Sequence, residues 1–314
     1  MSRLEPVRDG VGRASGKVIL FGEHAVVYGQ PALAGPLCVG LCVRLTSRSG
    51  APALPARLGK ALALAALDFP VGLLTDLEVN VSGDLPEAVG LGSSAALSVA
   101  LVRALADSTN TILELGELMQ RANRVESFFH GRASGVDVAA AASPGWIRFT
   151  CGEPPDIQAL TTVAAFDLVG IESGAAHRTA RTVGAVAARH AADRCVIEEL
   201  FREIGAIVVA AETALGSGDL VELGVLMLEN HRLLKALGVS TDGLDRAVTV
   251  ARESGALGSK LTGGGGGGLA MALMPPGEGL TLVQTLARRG WSSRVLTFPT
   301  GAADATLGLR RGPS

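Results

Sequence analysis

Aromatic residues are scarce in this chain of 314 residues, where they make up 4% of the sequence and include a single tyrosine. The core must therefore be filled by alanine, valine and leucine. At 48% hydrophobic residues the chain can bury a sizeable core, which excludes a disordered protein. The formal net charge is only −2. A balance this close to neutral argues against nucleic acid or an acidic membrane surface as the main partner.

Metal-ligand cysteine spacing and long apolar segments are also missing. Four cysteines are present, and Cys38 and Cys42, four positions apart in an apolar stretch, are predicted to be buried free thiols. The first ten residues carry charges and no apolar signal core. The apolar stretch 58–74 is too short and too interrupted to span a bilayer. We therefore expect a soluble, reduced, cytoplasmic protein.

Strand and helix patterns mix without strict alternation, which is typical of the α+β class. The patterns predict strands at 17–21, 31–50 (with glycine and proline breaks), 77–86, 161–173, 269–275 and 293–298. They predict helices at 57–68, 93–108, 112–131, 178–216, 219–237 and 242–254. The dipeptide Pro154-Pro155 interrupts regular structure and suggests a domain boundary, which divides the chain into 1–156 and 157–314.

A glycine-rich turn runs into a helix at PEAVGLGSSAALSVALVRAL, Pro86 to Leu105. Glycines allow backbone N–H groups to converge, and a helix N-terminus adds roughly half a positive charge, so together they favour phosphate binding. The plainer alternative is a serine N-cap behind a tight turn. The Gly-Lys-Ser/Thr ending of a Walker A loop is absent.

Two carboxylates follow in RVESFFHGRASGVDVAAAAS. Glu126 lies at the edge of a helical apolar stripe and is predicted to point partly inward; the alternative is a solvated carboxylate. Asp137 precedes a run of very small residues that leaves space for a ligand; the alternative is an acidic residue that favours the helix dipole. The stripe consists of Leu115, Leu118, Met119, Ala122, Val125 and Phe129.

Charged residues also flank the short apolar run in GKVILFGEHAVVYG. Lys17 is predicted to open a strand that Gly22, Glu23 and His24 interrupt. A lysine at a strand edge is usually solvated and a lone histidine is usually structural. A carboxylate and an imidazole at one glycine-bounded turn, however, are harder to explain by these structural roles alone.

Six consecutive glycines stand in SKLTGGGGGGLAMAL, Ser259 to Leu273. A dinucleotide fingerprint would follow a strand and open a helix, whereas here a strand pattern follows the glycines. A flexible linker is usually longer and serine-rich. The remaining interpretation is a backbone that passes very close to another part of the molecule.

In their fixed order, the motifs KVILFGEHAVVYG, PEAVGLGSSAA and KLTGGGGGG resemble those of the GHMP kinases over residues 17–268. The resemblance implies an N-terminal domain like domain 2 of ribosomal protein S5 and a ferredoxin-like C-terminal domain, with the active site between the two domains. It implies ATP-dependent phosphorylation of a small alcohol as the activity. It also implies that the glycine run packs against the phosphate-binding loop. The first motif differs from that of galactokinases. A homoserine or sugar kinase, or a ligand-binding regulator that has lost catalysis, remain the alternatives.

The resemblance also implies roles for individual residues. Asp137 would be the catalytic base with Lys17 beside it, and Mg²⁺ would be bound by Ser94 and Glu126. The acceptor would contact Glu23, His24, Asp137 and Thr179. ATP would be bound by Pro86, Gly90, Leu91, Gly92, Ser93, Ser94, Ala95, Gly264 and Gly265.

The chain departs from the family pattern at three positions, where Ala133 replaces a proline, Val138 an asparagine and Gly264 an alanine. The partners expected are the alcohol and ATP, with neither nucleic acid nor membrane, and a homodimer is one alternative for the oligomeric state.

Overall fold

The structure is a computed structural model that describes residues 8–69, 76–86, 90–130, 134–160, 165–174 and 179–299. Two antiparallel sheets, one in each half of the chain, carry helices on their faces. This arrangement confirms the α+β class. Each sheet is described with its own helices below.

The first sheet has five strands in the order β1-β2-β4-β5, with β3 also paired to β2. Its strands are β1 (Gly10–Phe21), β2 (Ala32–Ser47), β3 (Leu77–Gly83), β4 (Ile147–Thr150) and β5 (Asp156–Ala159). Its helices are α1 (Ala56–Ala65), α2 (Ser93–Ser108), α3 (Leu115–His130) and α4 (Val136–Ala142). A short 3₁₀ helix, Ala25–Tyr28, follows β1.

Helix α2 approaches β1 so closely that side chains are excluded between them. A Cβ atom at Gly12 would collide with the carbonyl oxygen of Ala100, and one at Gly10 with that of Ala104. The glycines of β1 therefore allow the alanine-rich face of α2 to pack directly against the strand. This contact holds the second half of α2 against the start of β1, and the hydrogen bond from Lys17 N–H to the Leu91 carbonyl holds the start of α2 further along the strand.

The second sheet has four strands in the order β7-β8-β6-β9. They are β6 (Asp167–Glu172), β7 (Gly258–Leu261), β8 (Leu269–Met274) and β9 (Ser293–Leu296). Five helices accompany them: α5 (Thr179–Ala192), α6 (Arg194–Ser217), α7 (Leu220–Ala236), α8 (Asp242–Glu253) and α9 (Gly279–Arg288). Asp193, Asp219 and Thr241 cap α6, α7 and α8, each accepting a hydrogen bond from a first-turn N–H group.

The structure corrects two details of the sequence analysis in the first sheet. Lys17 lies well inside β1, which begins at Gly10. The predicted breaks in 31–50 are absent, because β2 is continuous from Ala32 to Ser47. A register shift between Ser15 and Lys17 lies opposite Pro36 and Gly40 and accommodates the proline, which has no N–H for the ladder.

Three side chains are more exposed than predicted. Cys38 and Cys42 are free thiols, as predicted. They are not buried, however, because Cys38 is exposed and Cys42 is half-buried. Side chains alternate along a strand, so these even-numbered positions face away from buried Leu37, Val43 and Leu45. Leu115, at the start of the α3 stripe, is 43% exposed and is the first residue of the helix.

Strand β5 pairs with β4, so the first sheet extends to Ala159. The division of the chain at 156/157 stays a prediction. Residues 161–164 of the predicted strand 161–173 lie outside the described residues, and the strand itself occupies Asp167–Glu172.

Candidate active site

A cavity of about 1000 Å³ lies between two parts of the molecule. The first sheet with its helices is on one side. Helix α5 is on the other side, with the six-glycine turn 263–268 between β7 and β8, called the glycine-rich turn below. Most predicted site residues line the cavity, from segments far apart in the sequence. These are Lys17, Glu23, His24, Gly90, Gly92, Ser93, Ser94, Glu126, Asp137 and Gly264. Pro86, Leu91, Ala95 and Gly265 are described by the structure but lie outside this lining.

Lys17 and Asp137 form an ion pair at the cavity wall. The Lys17 Nζ atom lies 2.9 Å from Asp137 Oδ1, with the lysine side chain 4% and the aspartate side chain 37% exposed. Asp137 is in the first turn of α4, after Gly135 with a φ of 89°. Lys17 Nζ also donates to the carbonyl oxygen of Gly90 at 3.4 Å. A buried cation therefore holds a carboxylate that remains open to the cavity.

Glycine-rich backbone brings the start of α2 next to Lys17. Gly92 is the N-cap of α2, with a φ of 81° and no side-chain cap, so the serine N-cap alternative is wrong. The uncapped first-turn N–H groups can bind an anion. A Cβ atom at Gly92 would lie 2.6 Å from the Lys17 Cγ atom. The main-chain N–H of Lys17 donates to the Leu91 carbonyl at 2.9 Å.

Glu126 is buried under the start of α2. It is 2% exposed, which contradicts the solvated-carboxylate alternative. Its Oε1 accepts from Ser94 Oγ at 2.9 Å, and its Oε2 from Ser98 Oγ at 3.4 Å. Burial, with a smaller contribution from the negative charge of Asp137, raises the pKa of Glu126 to about 7. Ser98 was not predicted, although its position one helical turn after Ser94 was a usable signal.

The turn after β1 carries Glu23 and His24. Gly22 and His24 both have positive φ, 95° and 62°, which lets the chain reverse direction sharply. His24 Nε2 lies 3.2 Å from the Gly264 carbonyl oxygen. Burial lowers the pKa of His24 to about 4. The ring is therefore neutral at pH 7 and donates its Nε2–H to that carbonyl.

Glu23 forms a buried ion pair with Lys260 of β7, a residue that the sequence analysis missed. The side chains are 1% and 0% exposed, respectively. Burial raises the pKa of Glu23 and lowers the pKa of Lys260, while each partner's charge opposes the effect on the other. The only local signal was a lysine beside Leu261 in an otherwise buried strand.

The glycine-rich turn has positive φ at Gly263 and at Gly265 to Gly268, but not at Gly264. A Cβ atom at Gly265 would collide with the Val239 carbonyl, and one at Gly266 would lie 2.7 Å from Thr182 Cγ2. Gly263 approaches the phosphate loop, with its added Cβ 3.8 Å from the Gly90 carbonyl oxygen. This contact agrees with the expected packing against that loop. The tightest contacts are within the second half of the chain.

Three positions of the sequence analysis remain. Thr179 begins α5, but its side chain lies outside the described residues, as does Ala133. Arg181 and Val183 of the same helix line the cavity. Val138 is fully buried and also contributes to the lining.

The described residues contain no helix long and apolar enough to cross a membrane. They also contain no cluster of three or more histidine, cysteine or carboxylate side chains that could hold a metal ion.

Comparison with known proteins agrees with this geometry. Family models described as the GHMP kinases N terminal domain and the GHMP kinases C terminal match residues 57–145 and 180–290. The chain belongs to the GHMP kinase family, and as a kinase of this family it uses ATP to phosphorylate a small molecule.

The curated relatives described next are all one kind of GHMP kinase. The mevalonate kinase of Pyrococcus horikoshii is 34% identical over 303 residues, covering 83% of this chain and 88% of the relative. That of Methanothermobacter thermautotrophicus is 34% identical and covers 91% and 96%. Among solved structures, L. major mevalonate kinase in complex with R-mevalonate superposes with a TM-score of 0.80. It is 28% identical to this chain and covers 95% of it and 99% of that structure.

Proposed function

We propose that this chain transfers the γ-phosphoryl group of ATP to the 5-hydroxyl group of mevalonate, which gives 5-phosphomevalonate and ADP. The observation that carries the proposal is the set of curated mevalonate kinases that are 30–34% identical over most of both chains. The site supports it, because an ion-paired carboxylate and an anion-binding helix start face the same cavity.

Asp137 is the proposed proton acceptor. The acceptor's hydroxyl oxygen attacks the γ-phosphorus, the bond from that phosphorus to the β–γ bridging oxygen breaks, and the hydroxyl proton passes to Asp137. The positive charge of Lys17, 2.9 Å away, favours the ionised carboxylate and stabilises charge on the attacking oxygen. Phosphoryl transfer depends mainly on such positioning and charge stabilisation.

The ATP phosphates are proposed to lie over Gly90, Gly92 and the first turn of α2. A Cβ atom added at Gly90 would have no described residue within 4 Å, so this loop faces open space. The uncapped start of α2 includes Ser93 and Ser94, which line the cavity. A phosphate chain fits there by charge and by shape.

Ser94 and Glu126 are proposed to hold Mg²⁺. Their oxygens, 2.9 Å apart, both border the cavity, and Mg²⁺ prefers oxygen ligands, few of them from protein and the rest from phosphates and water. When bound, the ion neutralises charge that develops on the phosphates. The pKa of Glu126, raised to about 7 by burial, fits a carboxylate that is ionised fully only when a cation is present.

Glu23, His24 and Thr179 are proposed to shape the acceptor pocket, together with Asp137. Both Glu23 and His24 line the cavity on the side of the glycine-rich turn. Lys17 lies on β1, the strand that leads into this turn, so the acceptor hydroxyl would meet the ion pair at its open end.

A panel of acceptors tests the assignment. ADP release is measured with ATP, Mg²⁺ and, in parallel, mevalonate, homoserine, galactose and phosphomevalonate. We expect the highest kcat/KM with mevalonate. A higher kcat/KM with another acceptor would contradict mevalonate as the substrate and leave only the assignment to the family. No turnover with any acceptor would favour a ligand-binding regulator.

A further inference from the structure

The second half of the chain holds the turn that carries Glu23 and His24 at several points. Thr262 Oγ1 donates to the carbonyl oxygen of Ile19 at 2.9 Å, just before the turn. His24 donates to the Gly264 carbonyl at 3.2 Å. Tyr28 stacks on Phe201 with ring centroids 4.3 Å apart, just after it. The position of this turn therefore depends on contacts from β7, the glycine-rich turn and α6.

Lys260 lies at the centre of these contacts. Its Nζ atom pairs with Glu23 Oε1, donates to the carbonyl oxygen of Leu261 at 2.7 Å and lies 5.9 Å from the centre of the Phe21 ring. Glu23 lines the cavity, whereas Lys260 is fully buried and lies outside the cavity lining. Lys260 therefore does not contact a molecule in the cavity directly, whereas the residues it holds do line the cavity.

The ion pair leaves the two oxygens of Glu23 in different states. Oε1 is paired with Lys260. Oε2 is buried, and no described residue hydrogen-bonds to it. A buried acceptor without a partner costs stability and calls for a specific explanation. A hydroxyl donor on a molecule in the cavity would supply the missing hydrogen bond.

We propose that Lys260 is a positioning residue: it fixes the Glu23 carboxylate and the turn bearing His24, so that Oε2 accepts a hydrogen bond from a hydroxyl group of the acceptor. The inference rests on the proposed function for the identity of that acceptor. It assigns to the second half of the chain a role in acceptor affinity that does not involve contact with ATP.

The experiment measures KM for mevalonate and for ATP in the full chain and in Lys260→Met, which has similar volume and no charge. Wild-type turnover with mevalonate comes first; if it is absent, the proposed function fails, and the same comparison is made with whichever acceptor of the panel is turned over. We expect the acceptor KM to rise about tenfold or more and the ATP KM to stay within about twofold. Equal rises in both constants, or an unchanged acceptor KM, would overturn the proposal.

Two further variants keep the test decisive. Should Lys260→Met not fold, Lys260→Gln retains an N–H donor without the charge and carries the same comparison. Lys235→Met is the matched control, because Lys235 pairs with Asp245 at 2.5 Å on the surface, with its side chain 64% exposed. Neither KM should change in this control.

A double-variant cycle shows whether Lys260 acts through Glu23. In the Glu23→Gln background we expect Lys260→Met to add less than about twofold to the acceptor KM, because groups that act as a unit are not additive. A full additional tenfold loss in that background would mean that Lys260 acts on the acceptor independently, and the positioning role would be wrong.

Discussion

The two walls of the cavity both use glycine-rich backbone, but for different physical reasons. At Gly90, on the first wall, an added Cβ would meet no described residue, whereas at Gly265, in the turn behind the second wall, it would collide with the Val239 carbonyl. The first wall also carries Lys17, Glu126 and Asp137. Gly90 thus leaves room for a ligand, whereas Gly265 allows the protein to pack, as does Gly92 against Lys17. We infer that substitutions in the first wall reduce turnover, and that substitutions in the second wall reduce the stability of the protein or its affinity for the acceptor.

The largest effect is expected at Asp137. Asp137→Asn keeps the shape of the side chain and removes the charge that accepts the hydroxyl proton, so turnover should fall by roughly 10²- to 10⁴-fold while ATP binding stays nearly intact. Steady-state kinetics and ATP titration measure the two quantities.

Two results would refine or refute the Asp137 role. A loss within about tenfold would indicate that the residue mainly orients the hydroxyl, since asparagine still accepts a hydrogen bond. Turnover equal to wild type would leave Asp137 as an ordinary helix-start residue. In the Asp137→Asn background, Lys17→Met should cost less than it does alone.

The buried oxygens of the first wall should control the metal requirement. Glu126→Gln and Ser94→Ala each remove a ligand or its charge from a site with few protein ligands, so we expect a lower kcat and a Mg²⁺ requirement higher by roughly 10- to 100-fold. Mg²⁺ titrations of turnover measure this. Ser98→Ala is the control, because Ser98 donates to Glu126 at the longer distance of 3.4 Å. Unchanged Mg²⁺ dependence in both variants would remove them from the metal site.

Substitutions in the glycine-rich turn of the second wall should lower the stability of the protein more than they weaken ATP binding. Gly265 has a φ of 66° and abuts the Val239 carbonyl, so Gly265→Ala should lower the free energy of unfolding by about 2–4 kcal/mol through backbone strain and overlap. Gly264→Ala is the matched control, because Gly264 lacks a positive φ; it should change stability by less than about 1 kcal/mol. Urea denaturation compares them, and similar losses in both variants would contradict the packing role of Gly265.

The smallest effect concerns His24, where the two walls meet. Its pKa is lowered from 6.5 to about 4 by burial, so the unfolded chain binds this proton more tightly than the folded one. Stability from this group is present above pH 6.5 and is lost as the pH falls toward 4, which amounts to about 2 kcal/mol between pH 7 and pH 5.

The variant His24→Asn tests this pH dependence, because asparagine tolerates the positive φ of the position. Urea unfolding at pH 7 and pH 5 should show a shallower pH dependence in the variant. The contribution of His231, whose pKa is also lowered by burial, should remain. The same slope in wild type and variant would show that His24 is not buried in its neutral form.

Local patterns predicted the parts of the fold that local physics decides. The predicted helix 93–108 coincides with α2, because good helix formers follow a glycine turn there. The three short motifs were sufficient to indicate phosphoryl transfer and the residues that would carry it. By contrast, the first half of β1 was missed, since GVGRASG has no apolar run, and its glycines are explained only by the approach of α2.

The sequence by itself determined the family, the α+β class and the candidates Lys17, Ser94, Glu126 and Asp137, because each lies in a short motif whose residue types and order carry chemistry. Only the tertiary structure decided that Glu126 is buried beneath Ser94, that Gly265 packs on Val239 and that Lys260 pairs with Glu23, 237 positions away. Pairings of this kind depend on how two sheets and their helices come together. No periodicity along the chain encodes them, because periodicity reports which face of an element is buried and not which distant residue lies against it.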